Sequence, residues 1–205
     1  YAPHDMEGFL KLMGGREVLE RNLDTLFTTS SRIDGAEQSG DITGLIGQYA
    51  HGNEPSHHII YLYTMSGQPW KTADKVREIL EGQYHAAPDG LSGNEDVGQM
   101  SAWYILTAMG FYNVEPASTK YWFGSPLFDK VSIVVSKDGK TKFDINTVNN
   151  SKENKYIQKI TLNGKDWNKP YIEYGDIVKG GKLTFYMGAQ PAVWYNWETA
   201  REAAK

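Results

Sequence analysis

Apolar residues recur every three or four positions through the first half of the chain and alternate with polar ones through much of the second. Met6, Phe9, Leu10 and Met13 fall at helical spacing and stop at Gly14-Gly15. Val18, Leu19, Leu23, Leu26 and Phe27 predict a second helix directly behind. "PSHHIIYLYTMSG" opens on Pro55, favoured at a first helical position, and closes on Gly67. "KTADKVREILEGQY" follows with Thr72 as its cap, and a last helix runs from Glu95 and Asp96 to Gly110. Between the second and third helices, "TSSRIDGAEQSGDITG" exceeds a usual connection and reads as a functional or surface loop. Beyond Pro116 the period shortens to two in "KVSIVV", "TKFDI", "KYIQKITLNG" and "LTFYM", separated by turns such as Asp138-Gly139 and Asn163-Gly164. The tail "ETAREAAK" has helical propensity without an apolar face, so it is helical or frayed. These patterns predict an α+β chain, with helical hairpins over residues 1–116 and an antiparallel β-rich region over 117–205.

The letters Gly-Asn-Glu occur twice, at Gly52 and Gly93, 41 residues apart and each time before a helix. That recurrence fits one helical hairpin per repeat, as in a solenoid or a toroid of α-hairpins. In "GNEDVGQMSAWY" two acids, Glu95 and Asp96, stand together where a helix start needs only one. Consecutive side chains point in different directions, so one acid can cap while the other faces outward. An ionised carboxylate there suits a general base, a nucleophile or a cation ligand.

Glu54 also precedes a helix, inside a His51, Glu54, His57, His58 cluster. Zinc fits poorly, because Pro55 keeps His51 and His57 off one continuous helix. Two carboxylates on matching loops at one end of a helical toroid suit glycoside hydrolysis, where acids flank the scissile bond. Asn53, Asn94, Gln99 and His57 or His58 could bond sugar hydroxyls or supply ligands to a hard cation; the histidines equally suit core positions. Trp70 and the Trp103-Tyr104 pair could be stacking platforms, although helical spacing favours a core role for the pair.

Composition narrows the partners. The 205 residues carry a net charge of −4 with no long Lys/Arg run, which gives no nucleic-acid surface. No apolar segment approaches the roughly 18 residues of a membrane span. Cysteine is absent, which removes disulfide and thiolate chemistry. Aromatic residues reach 13%, a content shared by well-packed cores and sugar sites. The chain opens inside a predicted helix without an initiator Met, and we expect it to be a piece of a longer protein.

"PHDMEGFLKLMGG", "GNEPSHHIIYLYTMSGQPWKTADKVREIL", "PDGLSGNEDVGQMSAWYILTAMGFYNVEPAS" and "FGSPLFDKVSI" resemble, in order and over nearly the whole chain, the C-terminal part of a glycoside hydrolase family 92 α-mannosidase. The resemblance implies an N-terminal β-sandwich followed by an (α/α)6 toroid whose chain end returns to β-structure. It implies a calcium-dependent, inverting, exo-acting enzyme on α-mannoside glycans, mostly bacterial and periplasmic or secreted. Carried onto these residues, it makes Asp96 the general base and Glu54 a grip on the terminal mannose or calcium. Asn53 and Glu95 become further substrate contacts, and Gln99 and Asn94 calcium ligands. Some members have an aspartate where this chain has Asn94, which leaves a carboxylate role there open. The general acid would lie upstream of Tyr1, in the remainder of the parent chain, so this piece alone is expected to be inactive. Two rivals remain: a non-catalytic helical module binding carbohydrate or protein, and a toroidal lyase or phosphorylase, which would want a basic anion site that is not visible.

Overall fold

Glycines and prolines cut the first half into short helices. In this computed structural model, which describes residues 3–35, 40 and 42–197, helix α1 (Met6–Leu12) begins where the Asp5 carboxylate accepts the Gly8 N–H at 2.8 Å. Gly14 and Gly15, both at positive φ, turn the chain into α2 (Arg16–Thr28), which buries Leu19, Leu23 and Phe27. Much of the long loop follows, ending in the small hairpin of β1 (Leu45–Ile46) and β2 (Tyr49–Ala50).

The single helix expected from Pro55 to Gly67 is instead two 3-10 turns, Glu54–Ser56 and Ile59–Tyr61, running into the short α3 (Leu62–Ser66). Thr72 explains part of the break. It does not cap the following helix, because α4 (Pro69–Gly82) starts earlier, with Pro69 at its first position. The Thr72 hydroxyl reaches back, donating to the Ile60 carbonyl at 2.9 Å and accepting the Thr64 N–H at 3.0 Å. Those are the two groups that a regular helical bond would have joined. Helix α5 (Gln99–Met109) ends on Gly110, whose left-handed φ of 107° lets its N–H reach the carbonyls of Leu106 and Thr107.

Strands β3 (Phe111–Tyr112) and β4 (Lys120–Phe123) follow, then β5 (Lys130–Val134), β6 (Lys142–Val148), β7 (Tyr156–Leu162) and β8 (Lys165–Asp166). The chain continues through β9 (Tyr171–Glu173), the short α6 (Tyr174–Val178) and β10 (Gly181–Gly188). They form two sheets, of order β3-β4-β9 and β5-β6-β10-β7-β8. The second is not wholly antiparallel as expected, because β10 pairs parallel with β6 and antiparallel with β7. A strand inserted between two oppositely directed strands must run parallel to one of them. The sequence "ETAREAAK" lies outside the described residues.

Two buried clusters make the core. One gathers Leu19, Leu23, Phe27, Tyr61, Ile79 and Trp103 from the helices; the other gathers Phe143, Ile160, Leu183 and Phe185 from the larger sheet. The small sheet serves both. Adjacent residues of a strand point to opposite faces, and Trp122 joins the helical cluster while Phe123 joins the strand cluster. Tyr171 and Ile172 divide the same way, as do Tyr112 and Phe111.

Arg77 of α4 ties the helices to the strand loops from within. Only 5% exposed, its guanidinium donates to the Ser125 hydroxyl at 2.9 Å, to the Pro126 carbonyl and to the Asn150 side-chain oxygen. Ser125 passes the contact on to the Lys155 carbonyl at 2.7 Å. A planar fork makes several such bonds at once, and an ammonium cannot reproduce it. Arg77→Lys should therefore lower unfolding stability by about 2–4 kcal/mol through buried acceptors left without donors, measured as the shift in a urea-denaturation midpoint.

Candidate active site

Both Gly-Asn-Glu segments open on a glycine because their backbones touch. A Cβ on Gly93 would lie 2.5 Å from the Gly52 carbonyl oxygen and 2.7 Å from its Cα. One on Gly52 would meet the Ser92 carbonyl at 2.7 Å. This contact sets the loop carrying Glu54 beside the loop carrying Glu95 and Asp96.

The adjacent acids then part. Glu95 turns to its own helix, where its carboxylate accepts the Ser101 N–H at 3.1 Å and the Ser101 hydroxyl at 2.8 Å. It is the capping acid, and α5 begins at Gln99 rather than at the acids themselves. Asp96, Val97 and Gly98 all take left-handed backbone, with φ of 46°, 58° and 90°. A β-branched residue is disfavoured there by roughly 1–3 kcal/mol, and Val97 is fully exposed, so no burial of its own side chain offsets that strain. The turn leaves Asp96 in the wall of a pocket of about 440 Å³, with Glu54, His58, Gln99, Tyr112 and Asn113. Asn53 and Asn94 are not in that wall, and neither is Trp70.

Behind the pocket lies a neutral imidazole network. Tyr84 donates to the Met100 carbonyl at 3.2 Å, so its oxygen accepts from His51 Nε2 at 2.7 Å, and His51 Nδ1 accepts from the Tyr49 hydroxyl at 2.9 Å. His57 stacks on His51 with ring centres 4.6 Å apart, and its Nε2 donates to the His51 carbonyl at 3.0 Å. Its Nδ1 is therefore unprotonated and accepts from the Gln99 amide nitrogen at 3.2 Å. Burial, reinforced by the neighbouring His57, lowers His51 to about 3. Burial likewise lowers His57 to about 4, against the raising effect of its bond to the His51 carbonyl. Trp103 closes the network, fully buried with its indole N–H on the His57 carbonyl at 3.2 Å, so it is core and no stacking platform. Tyr104 packs on Tyr84 with ring centres 4.9 Å apart.

The two pocket amides are fixed in the same sense. Gln99 spends its nitrogen on His57 Nδ1 and, at 2.9 Å, on the Tyr112 hydroxyl. Asn113 spends its nitrogen on the carbonyls of Ser118 and Lys120, at 3.0 and 2.9 Å. The polar atom each can turn to a ligand is its oxygen. With two carboxylates alongside, the wall is rich in acceptors and suits hydroxyl groups or a hard cation. Among the described residues no three His, Asp or Glu side chains gather as a metal site, so a cation here would have to draw on amide oxygens as well. Tyr112 and Asn113 were not among the sequence candidates; only the alternation of Phe111 and Tyr112 pointed to Tyr112 facing away from the strand core. A cavity of similar size, about 450 Å³, opens over Met6, Leu10, Leu62, Met65 and Trp122 with Glu7, Arg16 and Glu115 at its sides, and neither Glu54 nor Asp96 lines it.

The depressed imidazoles give stability a pH dependence. Between about pH 6.5 and 4 the unfolded chain protonates His51 and His57 while the native protein does not, so their contribution is complete above 6.5 and is lost on acidification. The urea midpoint should fall from pH 7.5 to 4.5, and His51→Phe should flatten that fall while lowering the stability at neutral pH.

The chain matches the model of the Glycosyl hydrolase family 92 catalytic domain over residues 1–189. It is 39% identical to a family GH92 alpha-mannosidase from Bacteroides thetaiotaomicron solved in complex with mannoimidazole, with a TM-score of 0.85, covering 97% of this chain and 25% of that one. A GH92 inverting mannosidase from the same organism is 36% identical with a TM-score of 0.75, covering 96% of this chain and 28% of that one. An uncharacterized secreted glycosidase of Arthroderma benhamiae is 30% identical over 195 residues, 95% of this chain and 23% of the relative. The chain thus spans about a quarter of the length of these relatives. No helix among the described residues is long and apolar enough to cross a membrane.

Proposed function

The chain belongs to glycosyl hydrolase family 92, and from that premise we propose that it forms the base-bearing part of a calcium-dependent, inverting exo-α-mannosidase acting on α-mannoside glycans. The observation that carries this reading is the shared pocket of Glu54 and Asp96, acceptor-rich and reached from two touching loops. The names of the two bacterial relatives, mannosidases both and one described as inverting, support the substrate and the stereochemistry.

Inversion needs a base and an acid about 6.5–9.5 Å apart with a water between them. Asp96 is the base in this reading: it stands free of the capping task that Glu95 performs and takes a proton from the attacking water. The partner acid would come from the rest of the parent chain, the β-sandwich and the remaining toroid that the family resemblance implies. Glu54 and the Gln99 oxygen would hold sugar hydroxyls or the calcium ion, with Asn53 and Glu95 as further substrate contacts and Asn94 as a further calcium ligand supplied from beside the pocket wall. A carboxylate and a fixed amide oxygen agree with calcium's preference for hard ligands. Bound there, calcium would supply positive charge beside the sugar hydroxyls as the transition state develops oxocarbenium character. The description of the fungal relative as secreted supports action outside the cytoplasm, in the periplasm or beyond the cell.

In the full-length enzyme Asp96→Asn should cut kcat by on the order of 10²–10⁴, the range for losing a general base, with little change in KM. A rise in KM at unchanged kcat would make Asp96 a binding residue instead. Release of mannose from an α-mannoside should fall on chelation and return with calcium. These 205 residues alone should release none under either condition; turnover by them would place the acid within this chain.

A further inference from the structure

Gln99 lines the pocket with its side-chain amide, and the residues behind it decide which end of that amide faces a ligand. An unrestrained glutamine can offer either its oxygen or its NH₂ to a pocket. Here the choice is made one residue deeper. The His51 carbonyl only accepts, so the His57 nitrogen 3.0 Å away must carry the ring proton. The other nitrogen, Nδ1, then has only a lone pair to show Gln99, 3.2 Å away, and a lone pair binds the NH₂ end of the amide. Turned over, the ring would set carbon edges against both Gln99 and the His51 carbonyl and lose both bonds, so the hydrogen bonds themselves hold this orientation. Tyr112 takes the second amide hydrogen at 2.9 Å, which agrees with the same orientation.

We propose that His57 is a positioning residue for the pocket: through its fixed tautomer it holds Gln99 with the carbonyl oxygen toward the ligand, so that this wall selects hydroxyl groups or a hard cation and rejects acceptors. The proposal rests on the mannoside reading of the pocket. His57 itself touches no ligand, being buried at 1% exposure.

Two substitutions separate this role from simple packing. His57→Asn keeps an acceptor near the place of Nδ1 and loses the donor to His51. His57→Gln keeps a donor that can reach the His51 carbonyl and loses the acceptor at Nδ1. Both disturb the same core site by similar amounts. In the full-length enzyme, mannoimidazole binding is measured by calorimetry for each variant, alone and combined with Gln99→Ala, with thermal midpoints recorded in parallel. His57→Asn should bind within about 3-fold of the parent, whereas His57→Gln and Gln99→Ala should each weaken binding by about 10-fold, the worth of one oriented hydrogen bond. The His57→Gln, Gln99→Ala pair should be no weaker than Gln99→Ala alone. Affinity that tracks the thermal midpoint in both His57 variants, or a full additional loss in the Gln99→Ala background, would overturn the proposal and leave His57 a packing residue. Asp96→Asn, assayed alongside for turnover, keeps the two ideas apart. If it abolishes hydrolysis while the His57 effects are additive, only the positioning role falls; if it leaves hydrolysis intact, the reading of the pocket falls.

Discussion

Everything in this chain hangs on a sheet of three short strands buried on both faces. β4 places Trp122 among the helices and Phe123 among the strands, and β9 repeats the division with Tyr171 and Ile172. Full burial of large apolar side chains contributes about 1.5–3 kcal/mol each, so neither core can loosen there without exposing residues of the other. β3 follows directly on α5, and through it the sheet holds the end of the helix whose beginning carries Asp96. Arg77 makes a second junction by polar means, reaching from α4 into the β4–β5 and β6–β7 connections of the strand region. The pocket is thus mounted on helices whose positions are fixed from the strand side.

The alternating periods made the broad plan readable. α1, α2, α4 and α5 fall where apolar spacing predicts them, and the strands follow the change of period. Other features were hidden because they depend on partners distant in sequence. The break before α3 comes partly from the Thr72 hydroxyl, which replaces a helical bond from outside the segment. The parallel pairing of β10 follows from its insertion between β6 and β7, a choice no local pattern records. A sheet shared by two cores likewise looks, in sequence, like any alternating strand.

The site was legible to a similar depth. Two acids side by side signalled that one could cap and one could face out, and the bonds from Ser101 assign the capping to Glu95. The left-handed run of Asp96, Val97 and Gly98 was not legible, because an exposed valine at positive φ violates local preference. Asn53 and Asn94 matched by motif position yet lie outside the pocket wall, whereas Tyr112 and Asn113 enter it from beyond the helix. The histidines suggested ligands by their number; their hydrogen bonds make His51 and His57 scaffolding, and only His58 reaches the wall.

The contact of Gly52 with Gly93 also has a meaning in time. Two backbones touching with no side chain between them have no soft layer to absorb relative motion. Thermal displacement of one acid-bearing loop must carry the other with it, so the pocket can drift or tilt as a unit while the separation of Glu54 and Asp96 varies less than the position of either. A reaction that tolerates little error in the spacing of its groups gains from correlated motion more than from stillness, and here the correlation comes from the absence of two methyl groups.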